Sequence, residues 1–292
     1  MQIALYGRKF NDQAIPYVQE LIDCLHDAGI QITIFESFQI YLNSRIKFST
    51  VPQTFDSHDD LVFKVDFLIS LGGDGTLLDT VTLVRDSGIP VVGINLGRLG
   101  FLASINKDSV KTAVDSMVKG HFTLDKRTLL RLESDVPLFN GLNYALNELT
   151  IHKKDTSSMI IIHTYLNGEF LNSYWADGLI VATPTGSTAY SLSCGGPIIF
   201  PRSGNFVITP VSPHNLNVRP VILSDTNIIT FEIEGRSSYF LVTLDSRTEI
   251  IDSSVQLAVR KEQFEINLLR LNNENYLTTL RNKLMWGLDT RN

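Results

Sequence analysis

The sequence predicts two kinds of fold in one chain: an open, Rossmann-like α/β sheet first and a β-sandwich after it. Three observations lead to this prediction. Apolar strand-like runs alternate with amphipathic helical segments up to about residue 124. From 125 to 267 the apolar runs become short and β-rich. Helical character returns only in the tail, over 275–286. A length of 292 residues agrees with two domains of roughly 150 residues each, or with one large domain.

In the first 124 residues, strand-like and helix-like segments alternate as they do in repeated β-α-β units. Segments with apolar residues at helical spacing predict helices, and each is followed closely by a glycine that favours a helix end. The strands are expected at 3–6, 30–35, 65–71 and 90–95, and the helices at 12–28, 76–86 and 109–119. Residues 36–60 show no periodicity, so they predict a long surface loop.

The middle of the chain predicts an antiparallel sandwich. Its strands are expected at 129–131, 145–151, 159–166, 179–182, 206–210, 228–233, 240–244 and 256–259. Asn167-Gly168 is a strong signal for a two-residue hairpin turn.

Composition excludes several classes of protein. Lys and Arg number 25 and Asp and Glu 31, a net charge of −6, whereas proteins that wrap nucleic acid are usually basic. No apolar run approaches the roughly 18 residues of a membrane span, and the N-terminus does not resemble a signal peptide. Cys24 and Cys194 are far apart, which fits a reducing compartment. We expect a cytoplasmic protein without nucleic-acid or membrane partners.

The strongest chemical signal is the segment Gly72-Gly73-Asp74-Gly75-Thr76, between a buried strand and a helix. Glycines let a backbone approach phosphate oxygens, and the N–H groups of a helix start point at the anion. The spacing matches neither the P-loop nor the G-x-G-x-x-G fingerprint. A carboxylate in such a loop would repel phosphate unless it accepted a proton or faced Mg²⁺. The alternative interpretation is an ordinary Gly-rich turn.

Two further segments could hold a nucleoside. Asn147-Glu148 offers an amide and a carboxylate suited to ribose hydroxyls, although a solvated strand end is the simpler interpretation. Residues 177–197 run from a strand into a turn rich in glycine and hydroxyl groups, which could bind a nucleobase by hydrogen bonds and stacking. A serine hydrolase would need a G-x-S-x-G elbow, which this segment lacks.

Taken together and in this order, these segments resemble the NAD kinase family. The matching segments are 72–78, 93–103, 146–148, 177–197, 213–220, 245–246 and 283–287. The resemblance covers nearly the whole chain. The segment 177–197 is its most specific part, because lipid kinases and phosphofructokinases are similar at Gly-Gly-Asp-Gly-Thr alone.

The resemblance implies transfer of the γ-phosphoryl group of ATP to the adenosine 2'-hydroxyl of NAD⁺, giving NADP⁺ and ADP. Asp74 would be the base that deprotonates this hydroxyl. The match implies the following substrate-binding residues: Gly72, Gly73, Asp74, Gly75, Thr76, Phe101, Leu102, Asn147, Glu148, Asp177, Thr185, Thr188, Ala189, Tyr190, Ser191, Leu192, Ser193 and Arg247.

Some of these residues have more specific implied roles. Gly75 would lie beside the ribose, and Asn147 with Glu148 would hold hydroxyls. Asp177 would contact the dinucleotide across a subunit boundary. Five residues would line the nucleoside pockets: Thr185, Thr188, Ala189, Tyr190 and Ser193. Two would form an apolar wall: Phe101 and Leu102.

The resemblance also implies a divalent metal, Mg²⁺, with ligands that it does not identify, and a homo-oligomer, dimer or tetramer. The C-terminal tail would pack on the first domain, so 1–124 and 268–292 would form the α/β domain and 125–267 the NAD-binding domain. Arg247 stands where many bacterial relatives have Gln, and Cys194 where Ala is commoner.

Two rival functions would use the same segments. A lipid kinase with a Gly-Gly-Asp-Gly-Thr loop would phosphorylate a lipid of the diacylglycerol type. A dinucleotide-sensing module would keep the pocket without the phosphoryl transfer. An intact Asp74 argues against the sensing module.

Overall fold

The chain folds into two compact units in a computed structural model. The structure describes residues 1–62, 64–155, 158–272 and 275–286. One unit comprises residues 1–126 together with the chain from 266 onward, and the other comprises 127–265. Among the helices of the described ranges, none combines the length and apolar character that crossing a membrane requires.

The elements alternate in the first part of the chain and become almost entirely strands in the second. The strands are β1 Gln2–Gly7, β2 Gln31–Phe35, β3 Gln53–Phe55, β4 Phe67–Leu71, β5 Val91–Asn95, β6 Ile105–Asn106, β7 Phe122–Ser134, β8 Tyr144–Ala145, β9 Glu148–Lys153, β10 Ile160–Leu166, β11 Glu169–Ala176, β12 Gly178–Ala182, β13 Asn205–Val211, β14 Val221–Ser224, β15 Ile229–Gly235, β16 Tyr239–Leu244, β17 Arg247–Asp252 and β18 Leu257–Leu271. The helices are α1 Ile15–Asp27, α2 Glu36–Leu42, α3 Asp74–Val84, α4 Val110–Lys119, α5 Tyr190–Ser193 and α6 Tyr276–Leu284.

The first unit contains a parallel sheet in the order β3-β2-β1-β4-β5. The C-terminal part of β18 adds a parallel strand beside β5, with Leu268 opposite Val91. Chain order reverses between β1 and β4, which makes that point the switch of a doubly wound sheet. The predicted Rossmann-like α/β fold is confirmed.

The tail is part of the core of the first unit. Leu269 and Leu271 of β18 are buried with Ile69 of β4 and Val92 of β5 in one apolar cluster. Leu280 of α6 is buried as well. The predicted return of the C-terminal tail to the first domain is therefore confirmed, although Gly287, the last residue of the matching segments, lies outside the described residues.

The prediction of a long loop over 36–60 is wrong in part. Residues 36–42 form α2, which buries Phe38 and Leu42 one turn apart. β3 pairs in parallel with β2 at the sheet edge. The helix has only seven residues and no side-chain cap at its start, so the sequence gives no helix signal there.

The second unit is a sandwich of two antiparallel layers. One layer has the order β14-β13-β12-β9-β16-β17. The other joins β11, β10 and β15 to the N-terminal part of β18. Side chains of both layers, such as Ile162, Phe231, Val181 and Phe240, share one buried cluster. The predicted β-sandwich is confirmed. β11 is the second strand of the hairpin predicted at Asn167-Gly168, whereas β14 and β17 are strands that the sequence did not predict.

Candidate active site

Two loops meet at the carboxyl edge of the parallel sheet in the first unit. One follows β4 and carries Gly72 and Gly73, and the other follows β5 and runs from Leu96 to Ser104. β4 and β5 are neighbours and run in parallel, so both loops leave the sheet on the same side. This edge of a doubly wound sheet is where ligands usually bind.

The glycines of the first loop are of two kinds. A Cβ on Gly72 would lie 2.3 Å from the Oγ1 of Thr76, so packing within the protein excludes a side chain there. A Cβ on Gly73 or Gly75 would meet no protein atom within 4 Å. The protein's own packing therefore does not demand these two glycines. They border open space at the start of α3, where the first N–H groups of a helix lack intrahelical acceptors.

Asp74, the first residue of α3, turns its carboxylate toward the second loop. Oδ2 accepts a hydrogen bond from the N–H of Phe101 at 2.8 Å. Oδ1 accepts from the N–H groups of Leu102 at 3.0 Å and Ala103 at 2.9 Å. Three successive backbone donors thus fix the orientation of this carboxylate, which neither rotamer statistics nor sequence spacing predicts.

Other groups of the same unit hold this second loop. The guanidinium of Arg270 donates to the carbonyl of Phe101 at 3.1 Å and to the hydroxyl of Ser104. Nζ of Lys283 in α6 donates to the carbonyl of Leu99 at 2.6 Å. Gly100 is required for the close approach, because a Cβ there would lie 1.9 Å from Oδ1 of Asp74. The tail therefore supports the loop that orients Asp74.

At the switch point, Arg8 follows β1 on the same edge of the sheet. Its Nε lies 2.7 Å from a carboxylate oxygen of Asp79 in α3, and the hydroxyl of Tyr6 donates to that carboxylate at 2.9 Å. Burial and the adjacent Asp79 raise the pKa of Tyr6 to about 12. The Arg8 side chain is still 59% exposed, so its guanidinium is accessible to an anionic ligand.

In the second unit, three loops meet at one end of the six-stranded layer. β12 ends at Ala182, which pairs with Glu148 at the start of β9. β16 ends at Leu244, which pairs with Leu149. The antiparallel register therefore brings together the segment before β9, the turn after β16 and the segment that follows β12.

Asn147 and Glu148 lie at this junction, and both are buried. Asn147 Oδ1 and Glu148 Oε2 accept no hydrogen bond from the residues that the structure describes. Burial, and then the charge of Asp245, raise the pKa of Glu148 to about 8, although the N–H of Tyr190 donates to its carboxylate. Buried acceptors without partners are costly, so these two atoms fit a site that a ligand completes.

Asp245, in the turn between β16 and β17, binds the backbone of this junction. Oδ2 accepts from the N–H of Leu146 at 2.9 Å, and Oδ1 from those of Asn147 at 2.8 Å and Glu148 at 3.2 Å. The N–H of Asp245 in turn donates to the carbonyl of Glu148 at 3.1 Å. Asp245 adopts a left-handed backbone conformation, with φ of 54°, to make these contacts.

The hydroxyl-rich segment after β12 contains buried residues that are bonded within the unit and residues that are exposed to solvent. Thr185 is buried and accepts from Arg127 at 3.2 Å, and the hydroxyl of Ser191 lies 2.8 Å from that of Thr209. Gly186 packs against the backbone of Asn147. A Cβ on Gly186 would lie 2.1 Å from the carbonyl oxygen of Asn147. Four predicted site residues of this segment retain exposed surface: Thr188, Ala189, Leu192 and Ser193.

Tyr190 is also exposed, and it joins Cys194 beside Glu148. The hydroxyl and the thiol share a hydrogen bond. Burial is the main reason that the pKa of Tyr190 is raised, followed by the neighbouring thiol, with smaller contributions from Asp177 and Glu148. Burial likewise raises the pKa of Cys194. Neither group is therefore activated as a nucleophile.

Asp177 lies just before β12, at the opposite end of that strand from Ala182. Its carboxylate is 2.5 Å from Nζ of Lys153. Together with His214 and Trp175 it lines a cavity of about 600 Å³. Asp177 is thus separated from the Asn147 junction along β12, but it is close enough to Tyr190 to contribute to the raised pKa of that hydroxyl.

Arg247 is engaged with the chain itself. Both terminal nitrogens donate to backbone carbonyls, those of Leu142 and Tyr144. Its guanidinium lies 5.8 Å from the ring centres of Phe139 and Tyr144. Arg247 therefore holds the backbone just before Leu146 and places a positive charge near Asp245.

No role was predicted from the sequence for four residues that shape these two regions: Asp245, Arg270, Gly100 and Arg127. Asp245 occurs in a matching segment, but its three backbone partners lie about a hundred positions away. No sequence signal predicts them. Within the described ranges, no group of three or more His, Cys, Asp or Glu side chains is arranged to hold a metal ion.

Comparison with known proteins agrees with this geometry. Residues 3–122 match the family model described as the ATP-NAD kinase N-terminal domain, and 146–271 match the ATP-NAD kinase C-terminal domain. The chain is 54% identical to the NAD kinase of Cytophaga hutchinsonii and 47% identical to that of Flavobacterium psychrophilum, in each case over 100% of both chains.

Solved structures show the same fold. A yeast NADH kinase complexed with NADH has a TM-score of 0.87 and 24% identity, over 99% of this chain and 89% of that one. An NAD kinase from Archaeoglobus fulgidus in complex with ATP has a TM-score of 0.75 and 22% identity, over 98% and 99%. The enzyme class predicted from the sequence is confirmed: the chain belongs to the ATP-NAD kinase family and is a phosphotransferase that transfers the γ-phosphoryl group of ATP to the 2'-hydroxyl of NAD⁺.

Proposed function

We propose that Asp74 is the general base of this NAD kinase reaction. The observation that carries the proposal is its set of three backbone donors. A carboxylate has about four acceptor positions, so three hydrogen bonds leave one of them free. Oδ2 accepts only one of the three, and its second position is the one that would accept the substrate hydroxyl. A base held in a fixed orientation needs no rearrangement when the proton arrives.

The proposed reaction transfers one phosphoryl group and one proton. The adenosine 2'-oxygen of NAD⁺ attacks the γ-phosphorus of ATP, and its proton passes to Asp74. The new O–P bond forms as the bond from the γ-phosphorus to the β,γ-bridging oxygen breaks, which releases ADP. Phosphoryl transfer of this kind depends mainly on position and charge neutralisation, so the base contributes only part of the rate.

The first unit supplies the donor side in this proposal. The N-terminus of α3 and the open space at Gly73 and Gly75 suit phosphate oxygens. Arg8 adds a cation at the same sheet edge. Mg²⁺ would enter bound to ATP, since this ion prefers substrate phosphates to all-protein sites. We assign this side to 1–124 with 268–292.

The second unit, assigned as 125–267, supplies the NAD⁺ side. Asn147 and Glu148 would bind ribose hydroxyls with their unpartnered oxygens. Tyr190 has the exposed ring that a base could stack on. Thr185, Ser191 and Arg247 would act as framework, since each is already bonded within the unit.

Subunit assembly and location complete the proposal. The chain would act as a homo-oligomer in the cytoplasm, and both its cysteines are free thiols, as a reducing compartment requires. Asp177 would serve a dinucleotide bound mainly by a second subunit, which suits its separation from Asn147 along β12. Sedimentation at enzyme-assay concentrations would test this part, because a purely monomeric active enzyme would contradict it.

The decisive experiment is a coupled assay of NADP⁺ formation from NAD⁺ and MgATP. We expect one ADP per NADP⁺ and no phosphorylation of diacylglycerol, since both domains match the NAD kinase family rather than a lipid kinase. NADH and polyphosphate, tested in place of NAD⁺ and ATP, define the acceptor and the donor. Binding of NAD⁺ without formation of ADP would contradict the assigned chemistry.

A further inference from the structure

Two carboxyl groups lie side by side in the second unit, and hydrogen-bond donors are shared unequally between them. Asp245 accepts three backbone N–H bonds, and Arg247 is the nearby positive charge. Glu148 accepts one, from Tyr190, and its Oε2 has no partner among the described residues. Asp245 is partly exposed as a residue, but protein atoms enclose its carboxyl group.

One of these two groups must carry a proton near neutral pH, because two adjacent enclosed carboxylates repel each other. Burial raises the pKa of Asp245 as well, but three backbone N–H bonds and the charge of Arg247 act against this shift. Glu148 has only the N–H of Tyr190 to stabilise its charged form, so Asp245 is the better stabilised carboxylate of the two. The proton therefore resides on Glu148, whose pKa burial and Asp245 raise to about 8.

A protonated Glu148 can donate a hydrogen bond, which a carboxylate cannot do. We propose that Asp245 is a positioning residue that fixes the Asn147–Glu148 backbone and keeps Glu148 neutral, so that Glu148 binds NAD⁺ as a hydrogen-bond donor to an acceptor oxygen. The inference rests on the proposed NAD⁺ site. It predicts an acceptor affinity that falls when Glu148 loses its proton.

The groups that face Glu148 come from two elements. Asp245 lies in the turn after β16, with Arg247 behind it, and Tyr190 and Cys194 belong to the segment after β12. Tyr190 and Cys194 have raised pKa values, so both stay neutral through pH 8. Asp177 acts on Tyr190 rather than on Glu148 directly. The proton that is lost between pH 7 and 9 therefore belongs to the Glu148–Asp245 pair, and the hydrogen bonds to Asp245 assign it to Glu148.

The first experiment measures the dissociation constant of NAD⁺ by calorimetry from pH 6 to 9. For the wild type we expect a constant value up to about pH 7 and a weakening of roughly tenfold by pH 9, since the neutral fraction falls about tenfold over that range. Glu148→Gln carries a permanent donor, so its binding should not depend on pH. Glu169→Gln, at an exposed hairpin position, should keep the wild-type profile. Cys194→Ala should also keep it, which separates the thiol from Glu148.

The second experiment tests Asp245. Asp245→Asn can keep the two bonds to Asn147 and Glu148 on its carbonyl oxygen while losing the charge. We expect the midpoint of the NAD⁺ profile to move to lower pH, and KM for NAD⁺ at pH 7.5 to rise by roughly three- to tenfold. KM for ATP should stay unchanged. If this variant fails to fold, the comparison of wild type with Glu148→Gln decides alone.

Failure of the inference and failure of the proposed site look different. A wild-type affinity that is independent of pH, or a Glu148→Gln variant that still shows the alkaline loss, would overturn the inference while NADP⁺ formation stands. A Glu148→Gln variant with affinity more than tenfold weaker at pH 7 would show that a charged acceptor is needed, which also overturns it. No measurable binding of NAD⁺ to the wild type would overturn the proposed site itself.

Discussion

Asp74 in the first unit and Asp245 in the second use the same arrangement for different ends. Each carboxylate accepts hydrogen bonds from three successive backbone N–H groups, those of 101–103 and 146–148. Asp74 stands at the start of a helix beside open space. Asp245 stands in a tight turn, with its carboxyl group enclosed by protein.

The surroundings decide what such a carboxylate does. Asp74 keeps an acceptor position free, so the three bonds orient a group that would itself touch the substrate. Asp245 faces Glu148, so its bonds and its charge act on the neighbours instead. The loops also differ in support: the tail holds the Asp74 loop through Arg270 and Lys283, whereas Arg247, two residues from Asp245, supports the Asp245 junction.

The largest expected effect comes from removing the proposed proton acceptor in the first unit. Asp74→Asn keeps the size of the side chain but cannot accept the proton, so we expect kcat to fall by roughly 10²–10⁴-fold, about 3–5 kcal/mol in the barrier. The lower end is favoured because phosphoryl transfer depends only modestly on a base. NAD⁺ binding and the melting temperature should change little. Steady-state kinetics measure the effect.

A control separates the base from the loop. Gly100→Ala leaves the carboxylate in the sequence but displaces it, because the new Cβ overlaps Oδ1. We expect a loss of kcat comparable to that of Asp74→Asn. If Asp74→Asn retained turnover within threefold of wild type, Asp74 would be a loop anchor and not the base.

These two carboxylates also show how far the sequence predicts the site. Asp74 is predictable as a candidate because its sequence signal is local: a strand, a glycine loop and a helix start occur within ten residues. The donors that fix it are 27–29 positions away, in a segment that the sequence marks only as glycine-rich. The donors to Asp245 are 97–99 positions away. Long-range pairing of this kind depends on sheet register, which periodicity does not give.

The fold was predicted best where periodicity was strong. Buried parallel strands such as β4 and β5 read as continuous apolar runs. The turn at Asn167 and Gly168, with φ of 51° and 85°, forms as its dipeptide predicts. The loop prediction for 36–60 failed because the helix and the strand in this segment are short. Tertiary packing of Phe38 and Leu42, rather than a local sequence signal, defines the helix.

The second expected effect concerns stability in the second unit. Glu148 is protonated at higher pH in the folded state than in the unfolded one, so its contribution is complete below pH 4.5 and is lost as pH rises toward 8. Without NAD⁺, the free energy of unfolding should therefore decrease over this range, by on the order of 3–5 kcal/mol from this group. Glu148→Gln should remove this decrease. Urea unfolding at pH 5 and pH 8 tests it, and equal pH dependence in both proteins would contradict the environment described for Glu148.

A third effect separates the two substrates. Glu148→Ala leaves a ribose hydroxyl without its partner, which costs roughly 1–3 kcal/mol of binding. We expect KM for NAD⁺ to rise accordingly, while KM for ATP stays within twofold. The matched variant Glu169→Ala, at the exposed start of β11, should change neither constant. Equal weakening for both substrates would remove Glu148 from the NAD⁺ side.

The smallest effect is expected at Arg8, where the comparison extends to the donor side. The pair with Asp79 already neutralises part of its charge, and the side chain is well exposed, so solvent screens its attraction for phosphate. Arg8→Ala should raise KM for ATP by roughly two- to fivefold, an effect that decreases as ionic strength rises. KM for NAD⁺ should be unchanged. Arg45→Ala, an exposed arginine bonded within its own α2 region, serves as the control. A change in KM for NAD⁺ instead would place Arg8 on the acceptor side and would remove the division of the two substrates between the two units.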